Sequence, residues 1–191
     1  HADIVQNLGF IVSKADISNL NVAVSRKINC IRRENYGTAR QLIIHISQNI
    51  SFPNAPELQK AMRHSFVRTI LDAEKKCPGI SRLTSKAVYI LCWLRRYSEK
   101  IFGGWKKGDV GVFILLGGCR NDNEADFLRF LSRLPVDVLI LCPNLNEKCC
   151  LEDHLLYEEN YGNSVNVTKF IDDTEIVSMQ TTGASAKDEL D

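Results

Sequence analysis

Eight consecutive residues, Gly117-Gly118-Cys119-Arg120-Asn121-Asp122-Asn123-Glu124, concentrate more potential chemistry than any other stretch of this sequence. Paired glycines let a backbone come close to a ligand, and the N–H groups that open a helix favour an anion. Arg120 adds a positive charge, whereas Asp122, Glu124 and Asp126 repel a phosphate unless a cation bridges them. The run is neither G-x-G-x-x-G nor a P-loop, because it has no third glycine and no GK[ST]. The same residues also read as a tight turn, with Asp122 or Asn123 capping the helix and the acids favouring its dipole. Pro143-Asn144 forms a second polar break after an apolar run. Together these positions nominate Gly117, Gly118, Asn121, Glu124 and Asn144 as ligand-binding residues.

Other chemistry is sparser. Cys142, Cys149, Cys150 and His154 follow a C-x6-C-C-x3-H spacing, which lacks the separated C-x2-4-C pairs of structural zinc, so no metal site is expected. Asp137 lies early in an apolar run, where a helix cap or salt-bridge partner is the favoured reading over a catalytic acid. Cys119 is the one thiol placed near a helix start, although the neighbouring acids oppose a lowered pKa. No Ser-His-Asp or Cys-His arrangement is legible, and no cofactor can be named. Trp93, Arg95, Arg96, Tyr97, Lys100, Trp105, Lys106 and Lys107 interleave rings with cations as a nucleic-acid surface does, but Tyr97 falls on an apolar stripe. Core plus solvated rim is the favoured reading there.

These residues are positioned by an alternation of elements. Val110–Leu116 and Val136–Cys142 are almost continuously apolar, as strands covered on both faces are. The segment between them has helical spacing, so the three form a βαβ unit whose ligands would sit beyond the strand carboxyl ends. Upstream, a helix is expected over about 37–49, with Leu42, Ile43 and Ile46 on one face. A second runs over 57–76 with Leu58, Met62, Phe66, Ile70 and Ala73 inward, widened by Ala61, Val67 and Leu71. A third starts with Ser81 or Thr84 as cap and buries Leu83, Ala87, Leu91, Leu94, Tyr97 and Ile101. Residues 4–12 fit a short amphipathic helix. After Asn144, a short helix over 151–159, strands over 165–171 and 175–180, and a helix from Ala184 are expected.

The chain has 191 residues, 45% apolar and 25% charged, which is enough to bury a core. Residues 1–108 carry 18 Lys/Arg against 7 Asp/Glu, whereas residues 109–191 carry 6 against 16. The near-neutral total therefore hides a basic half and an acidic half. Either the basic half meets a polyanion, or the halves attract each other and fold together, which is the favoured reading. No apolar run approaches the roughly 20 residues of a membrane span. The start, HADIVQNLGF, lacks the basic flank and apolar stretch of a signal peptide, and KDEL is followed by Asp191. Seven cysteines without a paired framework point to a reducing cytoplasm. The chain is expected to be a fragment of a longer protein.

The stretch KAVYILCWLRRY, then a Gly-Trp linker, then the strand–glycine–helix–strand run ending DVLILCPN resembles the YceG-like family, as does the terminal TTGASAKDEL. These are bacterial proteins encoded beside tellurium-resistance (Ter) stress genes. The resemblance implies a larger protein with two related α/β halves. It also implies a place in a biosynthetic module among neighbours that look like ATP-grasp ligases, phosphoribosyltransferases and phosphohydrolases. The family pattern carries over to Gly117, Glu124, Asp137, Pro143, Thr182, Ala186 and Glu189. It departs at Leu115-Leu116, where the family has a more polar or aromatic strand end before its glycine.

The expectation is thus an α/β fold: a parallel-sheet, Rossmann-like core over 109–191 with a basic, mainly helical portion over 1–108, together one compact domain. A nucleotide or phosphorylated small molecule is the expected ligand. The alternative is a scaffold whose basic half meets a partner protein, with nucleic acid less favoured and no membrane association.

Overall fold

In a computed structural model the described residues are 35–52, 54–144, 146, 150–154 and 156–163. The expectations for residues 4–12, for the strands after 164 and for the helix from Ala184 fall outside them, as do Thr182, Ala186 and Glu189. The described elements, in chain order, are α1 (Ala39–Ser47), α2 (Pro56–Lys76), α3 (Ile80–Phe102), β1 (Gly111–Leu116), α4 (Asp122–Leu131) and β2 (Val136–Leu141).

Local sequence explains where most helices begin. Thr38 caps α1 by accepting the Gln41 N–H, while the Gln41 side chain reaches back to accept the Gly37 N–H at 2.9 Å. Pro56 opens α2 at a position whose N–H needs no partner. For α3 the expected cap is corrected: the helix starts at Ile80 after Gly79, whose φ of 149° suits only glycine. The Thr84 and Ser85 hydroxyls instead donate back to the Ile80 and Ser81 carbonyls, one turn earlier.

The anticipated faces are buried. Leu42, Ile43 and Ile46 of α1, Leu58, Met62, Phe66, Ile70 and Ala73 of α2, and Leu83, Ala87, Leu91, Leu94 and Tyr97 of α3 all lie in the core. One expectation is corrected on α2: Leu71 is 37% exposed, while Ser65 and Thr69 are each 1% exposed. The inward stripe is rotated because α4 packs there, and α4 and the turn after it supply polar partners. The Ser65 hydroxyl donates to the Phe130 carbonyl at 2.6 Å, and Arg133 Nη1 donates to Thr69 Oγ1 at 2.8 Å. The middle of α3 is buried nearly all round, since it touches α1, α2, α4 and β1. A chain of rings ties these layers together. Trp93 meets Phe127 at 5.2 Å, Phe127 stacks on Phe130 at 6.0 Å, and Phe113 meets Phe127 edge-on at 6.2 Å.

β1 and β2 pair in parallel, from Gly111↔Val136 to Leu116↔Leu141, as the βαβ reading requires. Each strand is one residue shorter than its apolar run, leaving Val110 59% exposed and Cys142 outside the ladder. Phe113, Leu115 and Val136 lie buried on the face towards the helices. On the other face Val112 and Ile114 are half-buried, and their partners Asp137 and Leu139 are exposed. Among the described residues the fold is therefore mixed α/β, with a two-stranded parallel sheet covered by helices on one face.

The short helix expected over 151–159 is corrected: among the described residues 150–154 and 156–163 there is no helix. Their backbone groups are committed elsewhere. The Cys150 N–H donates to the Cys119 carbonyl at 2.7 Å, and the Glu152 carbonyl accepts from Arg129 Nη2 at 2.7 Å.

Candidate functional site at the strand tips

The carboxyl end of β1 is held flush with β2 by the Gly117 N–H, which donates to the Leu141 carbonyl at 2.8 Å. Gly117 has φ 90°, a conformation that an L side chain strains, so the chain can turn sharply out of the sheet there. Gly118 and Cys119 are buried beyond it, and Arg120 is exposed. The turn then enters α4, so Gly117, Gly118, Asn121 and Glu124 are brought together as one structural unit. Asn144 follows the neighbouring strand, exposed, with its Oδ1 accepting the Asn146 N–H at 3.0 Å.

The helix start is built differently from the expected cap at Asp122 or Asn123. Asn121 is the cap, and its Oδ1 accepts the N–H groups of Asn123 at 3.0 Å and Glu124 at 3.1 Å. Glu124 is 2% exposed. Its Oε2 accepts the Arg120 N–H at 2.7 Å, and its Oε1 accepts Asn121 Nδ2 at 3.1 Å. This is the reciprocal arrangement of Thr38 and Gln41 again, with a carboxylate in the reaching position. The amides of Arg120, Asn123 and Glu124 that could have met an anion are thus already satisfied from within the turn. The Asn-x-x-Glu spacing was the sequence signal for this cap.

One charged cluster escaped the sequence reading. Asp126, 6% exposed, is paired with Lys86 of α3 and, at 3.2 Å, with Arg129 Nη1 of its own helix. Arg129 Nε also lies 3.5 Å from Asp153 Oδ2. Asp126 and Arg129 are three apart on one helix and could have been suspected as a pair. Nothing local points to Lys86, which lies on another helix.

The remaining candidates are dispersed. Asp137 is exposed at the start of β2, opposite Val112 and at the far end of the strand from the tips. His154 has an 86% exposed side chain, with Nδ1 3.3 Å from Asp153. Among the described residues no three His, Cys, Asp or Glu side chains converge on a metal position, and Cys149 lies outside them. Trp93 and Tyr97 belong to the core, while Arg95, Arg96 and Lys100 are exposed, which fits a core with a solvated rim. No helix among the described residues is long and apolar enough to cross a membrane.

A family model described as the YceG domain matches residues 3–191. No curated protein and no solved structure matches the chain.

Proposed function

The chain belongs to the YceG domain family, and from that membership we propose that it binds a nucleotide or phosphorylated metabolite at the carboxyl ends of β1 and β2. The observation that carries this reading is Gly117 at φ 90°, ending one parallel strand beside the last residue of the other. Ligands of open parallel sheets sit in that position. In this reading the sheet is part of a Rossmann-like core, and the ligand serves the tellurium-resistance and stress setting that the family resemblance implies.

The occupied amides at the start of α4 refine what meets the ligand. Phosphate recognition falls to the exposed Arg120 side chain and the Asn144 carboxamide nitrogen, while Gly117, whose N–H is held by the Leu141 carbonyl, supplies the turn that brings the ligand close. Asn121 and Glu124 hold the turn in shape. Exposed Asp122 beside this surface favours a ligand that brings a divalent cation with its phosphates.

A thermal-shift series with nucleotides and sugar phosphates, with and without magnesium, tests the reading on wild type, Arg120→Ala and Asn144→Ala. A ligand at about 100 times its Kd stabilises by about 2.7 kcal/mol. A rise in Tm in wild type that shrinks in both variants supports the site. The second reading, a scaffold that uses the basic helices, draws on the exposure of Lys60, Arg68, Arg82, Arg95 and Lys100. Absence of any ligand shift, together with salt-sensitive binding of a partner protein or an oligonucleotide, favours it instead.

A further inference from the structure

Between Lys60 and Leu71, α2 reads KAMRHSFVRTIL, with Lys60, Arg63, His64 and Arg68 and neither Asp nor Glu. At roughly 3.6 residues per turn, Lys60, His64, Val67, Arg68 and Leu71 share one side of the helix, opposite the buried Met62, Phe66 and Ala73. Val67 is half-buried and the other four are exposed, Leu71 at 37%. The stripe is about 17 Å long, with apolar side chains set among cations. Among the described residues Lys60, His64 and Arg68 enter no ion pair. The acids at its two ends are engaged elsewhere, Glu57 by Lys107 at 3.2 Å and Asp72 by Arg133 at 2.7 Å.

The acidic half carries the complementary chemistry. Residues 156–161 read LYEENY, with no cation. Glu158 and Glu159 are exposed, and so are Leu156 at 40%, Tyr157 at 85% and Tyr161 at 80%. The two glutamates enter no ion pair among the described residues. Exposed apolar side chains gathered beside charge mark contact surfaces. Fully extended, Tyr157 to Tyr161 spans at most about 14 Å, within the length of the stripe. Inside one molecule the two surfaces stay open to solvent. The stripe lies on the side of α2 away from Ser65 and Thr69, which meet α4 and the turn after it.

We propose that the α2 stripe of one copy of this chain receives residues 156–161 of a second copy. Glu158 and Glu159 meet Lys60 and Arg68, and the tyrosine rings lie over Val67, Leu71 and the Arg68 guanidinium. Stripe and segment are different surfaces, so copies exchange the contact reciprocally or pass it on head to tail. The strand-tip ligand plays no part in this contact.

Sedimentation velocity on the whole chain over a range of concentrations reads the association. Wild type is expected to associate at low salt and to separate as salt rises. Lys60→Glu with Arg68→Glu, and separately Glu158→Lys with Glu159→Lys, set like charges against each other. Each double variant is expected to weaken self-association roughly tenfold or more. All four positions are exposed, so both variants should keep the wild-type Tm, which is measured alongside. Mixed in equal amounts, the two variants match again in both directions, and association is expected to return. Leu71→Ser and Tyr157→Ser are expected to weaken it with no change of charge. Wild type that stays monomeric at every concentration at low salt overturns the proposal, whether or not the stripe then binds an oligonucleotide or another acidic protein. So does a mixture of the double variants that is no heavier than its components.

Discussion

Ser65 of α2 closes the C-terminal end of α4: its hydroxyl donates to the Phe130 carbonyl at 2.6 Å. The last four carbonyls of a helix have no partner within it. In α4 the Leu128 carbonyl takes the Ser132 N–H, Arg129 takes the Ser132 hydroxyl, Leu131 takes the Leu134 N–H, and Phe130 takes Ser65 from another helix. Ser65→Ala leaves a buried carbonyl without a donor, and about 1–3 kcal/mol of stability is expected to be lost in urea unfolding. Ser85→Ala, which removes an exposed hydroxyl within α3, is expected to stay within about 0.5 kcal/mol of wild type. Equal losses for the two would refute the capping role of Ser65.

Glu124 is the second such case. Glu124→Ala abandons the part-buried Arg120 N–H and Asn121 Nδ2 together, both bonded to a carboxylate, and about 2–3 kcal/mol should be lost. Glu124→Gln keeps one oxygen for the Arg120 N–H and is expected to cost distinctly less. Equilibrium denaturation of the two variants separates them, and a Gln variant as unstable as the Ala variant would show that the acceptor geometry is not what matters.

Asn121 distinguishes a cap from a cap with a neighbour. Asn, Asp and Ser are comparable at a helix N-cap. Here Asn121 also gives its Nδ2 to Glu124 Oε1 at 3.1 Å, so an aspartate would set two carboxylates against each other. Asn121→Ser is expected to cost less than Asn121→Asp, whereas helix capping alone predicts no difference between them. A Tm comparison of the two at neutral pH decides the matter.

The pair Lys86–Asp126 carries the largest expected penalty. Asp126→Asn leaves two nearly buried cations without their shared counter-charge, and losing one partner of a buried pair costs about 3–5 kcal/mol. Adding Lys86→Met to Asp126→Asn removes one stranded charge, so the double variant should be more stable than the sum of the singles. Additive losses in that cycle would mean that the two residues are not coupled.

How far the residues foretold this arrangement depends on whether the deciding partner is local. The α2 stripe from Leu58 to Ala73 was legible because Pro56 and Pro78 bracket a helical period. The parallel pair was legible because Val112–Leu116 and Val138–Leu141 carry apolar side chains in direct succession. The choice of Asn121 among three adjacent capping residues turned on Glu124, three positions on, and the spacing held that information. Ser65 and Thr69 had no such signal: both are polar on the flank of an apolar stripe, and only the end of α4 draws them inward. The same holds for Lys86, and for residues 151–159, whose apolar spacing suggested a helix although the Cys150 N–H goes to Cys119 and the Glu152 carbonyl to Arg129.

The tilted contact of Trp93 with Phe127 also bears on how the chain is made. Synthesis runs from the N-terminus, and α3 leaves the ribosome before α4 has been translated. Until Phe127 emerges, the nascent α1–α3 bundle presents the Trp93 side of its central helix to water, and the Ser65 hydroxyl lacks the Phe130 carbonyl it will cap. During that interval the basic half is a sticky intermediate, and a pause in translation before α4 would lengthen its exposure to chaperones and to aggregation.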